Sequence, residues 1–370
     1  MKNSLLSEDK SKNFSIGNYY PALDGLRGLA ILLIILYHNF NYLPFSRPTW
    51  ISLDLFFVLS GFLITGILLK KRDSVRFLRN FYARRVLRIF PIYYLGIVLF
   101  LFVLPRLISY PFSLNYFIAH QLWFWLEIQN WLFILRPDGN NNFLNHFWSL
   151  ALEEQFYLLS PWILLLIKPL QKVISFLLLL LLLLLFLRLI LWFYQFKNFS
   201  YIDLYAFTRI DGLCVGSLLA ILTHQGNMVI SRFNKGLLTL FFVLIFAVLP
   251  FCKIFYHTRL PYLACCLYPG IALFWGWTVW RSIDPGTIIN KIFTSRALIF
   301  FGKISYGLYI FHWPVNRLIR LSPGSASFEQ SGLSGNLLLS FLSTSIAILA
   351  AVISYYTYER YFLRLKKYFT

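Results

Sequence analysis

The chain has 370 residues, of which 59% are hydrophobic, 20% are aromatic and 13% are charged. A soluble domain carries about 25% charged residues, and the nine consecutive leucines of 177–185 have no polar face, so an ordinary soluble protein is excluded. The net charge of +20 does not indicate binding to nucleic acid, because the basic residues lie in short groups between apolar segments, as in membrane proteins.

Ten apolar segments are long enough to cross a hydrocarbon layer of ~30 Å as helices. They cover approximately residues 23–43, 50–69, 89–110, 146–167, 173–194, 204–222, 236–251, 261–280, 298–319 and 337–358. The predicted fold is therefore an all-α integral membrane protein, a bundle of about ten transmembrane helices that forms one membrane domain over 1–370. We expect a cytoplasmic tail at 1–20, no removable signal peptide and no fused soluble domain.

The segment 111–145 is predicted to be an external or interfacial loop, although its part 115–135 is a candidate eleventh span. That part contains the polar residues His120, Gln121, Glu127, Gln129 and Asn130. With ten spans and both termini cytoplasmic, 22 of the 34 Lys and Arg residues lie in inner segments and eight in outer ones. An eleventh span would move 11 of the inner charges outside, so the positive-inside rule favours ten.

The first span carries two ionisable side chains at membrane depth, where such groups are costly and often functional. Arg27 and His38 are eleven residues apart. At about 100° and 1.5 Å per residue, both face the same way and are separated by about 16.5 Å along the axis. Arg27 lies near the cytoplasmic end and His38 in the outer half, and the alternative is a snorkelling arginine with a structural histidine.

Three carboxylates are predicted at a depth close to that of His38. Asp54 lies near the outer end of the second span, and Glu153 and Glu154 lie about two turns into the fourth. Any of them could hold the imidazole. Because adjacent residues on a helix point about 100° apart, we expect one glutamate to face the interior site and the other a structural partner.

Arg85 and Arg88 are three residues apart on the inner side and share one helix face, which suits them to grip a phosphate. The alternative is a topology anchor against anionic lipid. For Arg209 and Asp211 in the sixth span, an interhelical ion pair and a functional role are both open. His312, just before a Trp-Pro pair in the ninth span, is interpreted as a structural residue at a helix break.

The four cysteines form no Cys-x-x-Cys pair and no His/Cys spacing of a metal site, so neither a disulfide framework nor a metal is expected.

Six motifs connect these segments. In chain order they are YPALDGLRGLAILLIILYH (20–38), SLDLFFVLSGFLIT (52–65), FYARRVLRIFPIYY (81–94), HFWSLALEEQFY (146–157), RIDGLCVGSLLA (209–220) and ISYGLYIFHWP (304–314). Together they resemble the membrane-bound acyltransferase 3 family, and the resemblance covers almost the whole chain. One departure is that Gly212 and Leu213 follow the acid of the sixth span where many members have Glu-Phe.

The resemblance implies a ten-span enzyme of the bacterial inner membrane. It would move an acyl group, usually acetyl, from cytoplasmic acyl-coenzyme A to a carbohydrate hydroxyl on the outer side. Arg27 and His38 match the Arg/His pair of the family, and Arg85 with Arg88 matches its R-x-x-R motif.

An acyl transfer needs a base, and His38 is the best candidate because an imidazole titrates near neutral pH. The predicted catalytic residues are His38, Asp54, Glu153 and Glu154; the predicted residues for acetyl-CoA or another acyl-CoA are Arg27, Arg85 and Arg88; no metal is predicted. The expected partners are the acyl-CoA donor, a carbohydrate or glycolipid acceptor and the lipid bilayer, without nucleic acid. Direct transfer requires fewer assumptions than a covalent acyl-histidine.

The sequence leaves two alternative functions open. A proton-coupled transporter or flippase of a sugar-containing substrate would use His38, Asp54 and Glu153 as a proton relay. An enzyme of the same fold could instead move a longer acyl chain or use a lipid acceptor.

Overall fold

The computed structural model describes residues 19–110, 112–136, 142–193, 209–225 and 261–369, and every regular element in these ranges is helical. In chain order the helices are α1 Pro21–Asn39, α2 Ser52–Lys71, α3 Phe77–Val98, α4 Asn115–Ala119, α5 Gln121–Trp125, α6 Gln129–Leu135, α7 Trp148–Leu166, α8 Leu170–Phe193, α9 Asp211–His224, α10 Pro261–Ile283, α11 Ile288–Phe293, α12 Arg296–Arg320, α13 Ser325–Gln330, α14 Leu333–Ser354 and α15 Arg360–Leu365. Helix α3 continues through the π-helical turn Leu99–Val103 into a last α-helical turn, Leu104–Leu107, and α14 continues through the π-helical turn Tyr355–Glu359.

Among the described residues, five helical stretches are long and apolar enough to cross a membrane, namely Pro21–Asn39, Pro44–Lys71, Phe77–Leu107, Leu170–Arg188 and Leu333–Tyr368. The described residues are therefore all helical in their regular elements, as predicted, and these stretches are consistent with a membrane protein. The predicted spans 146–167, 261–280 and 298–319 correspond to the helices α7, α10 and α12. The predicted span 236–251 and the first part of 204–222 lie outside the described residues, so the count of ten spans with both termini cytoplasmic stays a prediction, as does the single-domain organisation.

Helices α1 and α12 run in parallel and touch through their backbones. At Gly302 an added Cβ would lie 1.9 Å from the carbonyl oxygen of Asp24, and Gly28 on α1 faces the same contact. Only residues without a side chain allow helices in a membrane to approach this closely. Ten residues further along each helix, this packing brings His38 beside His312.

Helices α2 and α9 form the second close pair. A Cβ at Gly216 would lie 2.1 Å from the carbonyl oxygen of Val58, and the Thr65 hydroxyl donates to the Ser217 hydroxyl at 2.9 Å. This contact sets the start of α9 against the start of α2, where Asp54 lies.

The segment 112–136 is divided into α4, α5 and α6, which have five, five and seven residues. At about 1.5 Å per residue, none is long enough to span a membrane. The segment packs into the bundle, because the Tyr93 hydroxyl donates to the Phe124 carbonyl at 2.8 Å and Gln129 donates to the Phe147 carbonyl at 2.6 Å. The segment is therefore held against α3 and the start of α7 through the Phe124 carbonyl and Gln129.

Candidate active site

The side chain of His38, one residue before the end of α1, contacts a second histidine. Its Nδ1 lies 2.9 Å from Nε2 of His312 on α12, and the two rings meet edge to edge, with centroids 5.1 Å apart and an angle of 22° between their planes. The indole of Trp313 lies 4.9 Å from the His38 ring. The ring of His38 is therefore fixed on two sides by residues of α12.

A third histidine completes what we call the histidine cluster, His38, His146 and His312. The ring of His146, at the start of the fourth predicted span, lies 5.2 Å from that of His312. Its backbone carbonyl accepts a hydrogen bond from the Tyr309 hydroxyl at 2.9 Å, and that hydroxyl lies 2.6 Å from the Ser149 hydroxyl. Tyr309 thus connects α12 to α7 directly beside the cluster.

The members of the histidine cluster differ in access. His312 is 0% and His146 is 5% exposed, whereas His38 is partly exposed. Nε2 of His38 forms no hydrogen bond within the described residues. Within the described residues, His38 is therefore the member of this cluster that combines partial exposure with a ring nitrogen that forms no hydrogen bond.

Asp54 does not orient His38. Its two carboxylate oxygens accept hydrogen bonds from Arg209 at 2.8 and 3.0 Å, and both side chains are at most 2% exposed. The Arg209 guanidinium also lies 3.9 Å from the Tyr268 ring centroid. The depth estimated from the sequence says nothing about direction around a helix axis, and Asp54 faces α9 because α2 and α9 are in backbone contact.

Asp211 likewise forms a buried ion pair, with Arg188 of α8 at 2.6 Å. Of the two readings left open for Arg209 and Asp211, the structure supports interhelical ion pairing.

The two adjacent glutamates have different surroundings. Glu153 accepts hydrogen bonds from Ser60 at 3.2 Å and from Tyr157 at 2.9 Å. Within the described residues Glu154 forms no hydrogen bond, and it interacts electrostatically with Glu127 and Arg85. Burial raises the pKa of the Glu127 carboxyl, which lies in the 112–136 segment. Glu153 therefore has the structural partners, and neither glutamate is hydrogen-bonded to His38.

The predicted donor-binding residues come together toward the end of the bundle at which α1 begins. Arg88 lies within electrostatic range of Arg27 and Arg85, and we call these three residues the arginine cluster. Arg27 is paired with Asp24 at 3.2 Å, and the Arg85 guanidinium lies 5.7 Å from the Tyr157 ring centroid. Three guanidinium groups with one paired carboxylate suit a ligand that carries several negative charges.

A cavity of 350 Å³ lies beside the arginine cluster. Its basic lining residues are Lys70, Lys71, Arg84 and Arg85, and aromatic side chains form much of the remaining wall. The combination of basic groups with an apolar wall is suited to a ligand that joins phosphates to a planar ring. Among the described residues, no group of three or more His, Cys, Asp or Glu could hold a metal ion.

From the sequence, His312 is interpreted as structural and His146 has no assigned role, whereas in the structure both lie in one cluster with His38. The available signal was that His38 and His312 each stand at or near the end of a motif, and that His146 begins one. Their shared position could not be deduced because it depends on how α1, α7 and α12 pack.

Comparison with known proteins agrees with the motifs. The family model described as an acyltransferase domain, Acyl_transf_3, matches residues 20–356. The chain is 31% identical over 316 residues to the peptidoglycan O-acetyltransferase OatA of Listeria monocytogenes, an alignment that covers 80% of this chain and 49% of OatA. It is 31% identical over 323 residues to YrhL of Bacillus subtilis, named "Putative peptidoglycan O-acetyltransferase", with 80% and 48% covered.

A Staphylococcus aureus protein named "Putative O-acetyltransferase" is also 31% identical over 323 residues, with 80% of this chain and 50% of that protein covered. The chain spans about half the length of these curated relatives. No solved structure matches the chain. Because the family model covers most of the sequence and all six motifs lie within it, the chain belongs to the acyltransferase 3 family of membrane acyltransferases.

Proposed function

We propose that the protein is a membrane O-acetyltransferase that moves the acetyl group of acetyl-coenzyme A to a hydroxyl of a cell-envelope carbohydrate. The observation that carries this proposal is the arrangement of His38. Its Nδ1 is bound to His312 at 2.9 Å, while its other ring nitrogen is available to a substrate. A histidine held in this way is suited to accept the proton of a hydroxyl group.

The arginine cluster supports a coenzyme A thioester as the donor. Arg27, Arg85 and Arg88 would hold the phosphates of the donor through charge-assisted hydrogen bonds. Arg27 lies on the same helix as His38, about 16.5 Å away along its axis. The extended arm of the donor would follow this direction through the bundle and bring its thioester carbonyl to His38.

In the proposed reaction, Nε2 of His38 takes the proton of the acceptor hydroxyl as its oxygen attacks the thioester carbonyl carbon. The new carbon–oxygen bond forms, the carbon–sulfur bond breaks, and the sulfur of coenzyme A leaves with the proton returned from His38. Direct transfer of this kind needs one base and no covalent enzyme intermediate.

The acceptor that we favour is a sugar of peptidoglycan, because the relatives OatA and YrhL are named for this substrate. A glycolipid or another exported carbohydrate would require the same hydroxyl chemistry. We further propose that the protein lies in the bacterial inner membrane and that the acyl-CoA binds from the cytoplasmic side, since the basic residues around the arginine cluster fit an inner face.

The alternative of a proton-coupled transporter or flippase is not favoured by the family assignment. The contacts of its expected relay residues also count against it. Asp54 is bound to Arg209, and Glu153 is bound to Ser60 and Tyr157. A relay would need these carboxylates to exchange protons with His38.

The proposal can be tested with purified protein in nanodiscs, supplied with acetyl-coenzyme A and a soluble peptidoglycan fragment. We expect free coenzyme A to appear only when the acceptor is present, together with an acetylated acceptor detected by mass spectrometry. Replacing His38 by Ala should lower turnover by about 10²- to 10⁴-fold, which is the usual contribution of a general base.

The matched control for this variant is His120→Ala, because His120 lies outside the histidine cluster and its Nδ1 is hydrogen-bonded to the Tyr116 carbonyl at 2.9 Å. Its turnover should stay close to that of the parent. Well-folded His38→Ala protein that keeps most of its turnover would show that the base is another group.

A further inference from the structure

The hydrogen bonds around His312 determine which nitrogen of each ring carries the proton. Nδ1 of His312 lies 2.7 Å from the backbone carbonyl oxygen of Tyr309. A carbonyl oxygen can only accept a hydrogen bond, so this Nδ1 is an N–H donor. In a neutral imidazole the other nitrogen is then an acceptor, which makes Nε2 of His312 the acceptor in its contact with His38.

The contact with His312 also determines which nitrogen of His38 carries the proton. Its Nδ1 lies 2.9 Å from Nε2 of His312, and two nitrogen lone pairs would repel each other at this distance. Nδ1 of His38 must therefore carry the proton in a neutral pair. Nε2 is left with the lone pair that a base requires.

His312 is well placed to impose this arrangement because it is itself rigid. It is 0% exposed, and Tyr309, which supplies the carbonyl, is 7% exposed. The Tyr309 hydroxyl is anchored by the carbonyl of His146 at 2.9 Å and by Ser149 at 2.6 Å. The position of His312 is thus fixed both along α12 and against α7.

Within the described residues no carboxylate is hydrogen-bonded to His38 or His312. In hydrolases that use a catalytic triad, a carboxylate holds the histidine. Here a backbone carbonyl and a neutral imidazole occupy the corresponding positions.

We propose that His312 is the positioning residue of the acetyltransferase site, which holds His38 in the tautomer with the proton on Nδ1 and thereby leaves Nε2 free as the base. This inference rests on the proposed function for its catalytic meaning. The tautomer itself can be measured without any turnover, so the two proposals can fail separately.

The direct test is ¹⁵N NMR of the histidine rings in the 370-residue chain, which contains six histidines. The His38 signals are assigned by their loss in His38→Gln. We expect a protonated Nδ1 and an unprotonated Nε2 for His38. A parent protein in which Nδ1 of His38 is unprotonated would overturn the inference, whether or not the protein transfers acetyl groups.

Two substitutions at His312 separate positioning from simple packing. In His312→Gln the amide oxygen can take the place of Nε2 as the acceptor, whereas in His312→Met a side chain of similar length offers no comparable acceptor. We expect the Gln variant to stay within about threefold of the parent, since the acceptor that fixes the His38 tautomer is kept. The Met variant should lose about 10- to 100-fold in kcat with little change in the KM for acetyl-coenzyme A.

The ¹⁵N spectra of the two variants should follow the same division, with the His38 proton kept on Nδ1 in His312→Gln and moved largely to Nε2 in His312→Met. The matched control is His120→Met, which should leave the His38 signals and kcat unchanged. Equal kcat in His312→Gln and His312→Met would overturn the positioning role. If the Met variant does not fold, the tautomer of His38 in the parent and in His312→Gln still decides the question.

Discussion

Replacing Asp54 by Asn should lower the folding stability of the protein, and we expect any loss of turnover to follow from this loss of stability. The change removes the negative charge that accepts hydrogen bonds from Arg209 at 2.8 and 3.0 Å. Because Arg209 is 2% exposed and Asp54 is 0% exposed, water cannot replace the lost interaction. Removing one partner of a buried ion pair costs about 3–5 kcal/mol. That loss lowers the ratio of folded to unfolded protein by about two to four orders of magnitude.

The assay is the midpoint of thermal unfolding in detergent, followed by size-exclusion chromatography of a fluorescent fusion. Asp284→Asn is the matched control, because Asp284 pairs with Arg281 at 3.8 Å and the two side chains are 50% and 30% exposed. An exposed pair contributes at most about 1 kcal/mol, so this control should unfold close to the parent.

A double variant tests whether the loss of stability comes from the unpaired charge of Arg209. Asp54→Asn combined with Arg209→Gln removes both charges and leaves two amides that can bond to each other, so it should be more stable than Asp54→Asn alone. If Asp54→Asn unfolds at the temperature of the parent but has lost turnover, the stabilising role is refuted, and Asp54 acts in the chemistry as the sequence predicted.

Two further predictions concern packing and donor binding. Gly28→Val should prevent the close contact of α1 with α12 and reduce the yield of folded protein several-fold in chromatography, because the added side chain would enter a backbone contact; a normal yield would contradict this account of the helix pair. Replacing Arg85 and Arg88 by Ala should raise the KM for acetyl-coenzyme A at least about tenfold with little effect on the acceptor KM, in steady-state kinetics. Arg76→Ala, at an exposed position of the same basic region, is the control, and an unchanged donor KM in the double variant would identify these arginines as topology anchors.

The sequence was sufficient to predict the membrane fold because apolar length and the distribution of charge are local properties of the chain. It also selected His38, since a histidine within an apolar span needs an explanation. The grouping of Arg85 with Arg88 followed from a spacing of three residues on one helix. These predictions require no knowledge of which helices are neighbours.

The partner of His38 could not be predicted in this way. Three carboxylates had a suitable depth, but depth along the membrane does not specify direction around a helix axis. The contact of α1 with α12 depends on glycines such as Gly28 and Gly302, whose effect appears only when the two backbones meet. The equally close contact of α2 with α9 places Asp54 beside Arg209, with which it forms an ion pair. His38 is instead hydrogen-bonded to His312.

In the candidate site, the charged arginine cluster and the proposed base His38 lie at different positions along α1. Its three guanidinium groups lie toward the start of α1, whereas within the described residues His38 and His312 are hydrogen-bonded to each other and to a backbone carbonyl and to no carboxylate. A donor that carries phosphates at one end and a neutral thioester at the other matches this order along the bundle. A carboxylate beside His38 would stabilise the protonated imidazole and so hold the proton more tightly. In the proposed reaction, a neutral His312 would orient His38 without that effect, which would favour rapid return of the proton to the departing sulfur of coenzyme A.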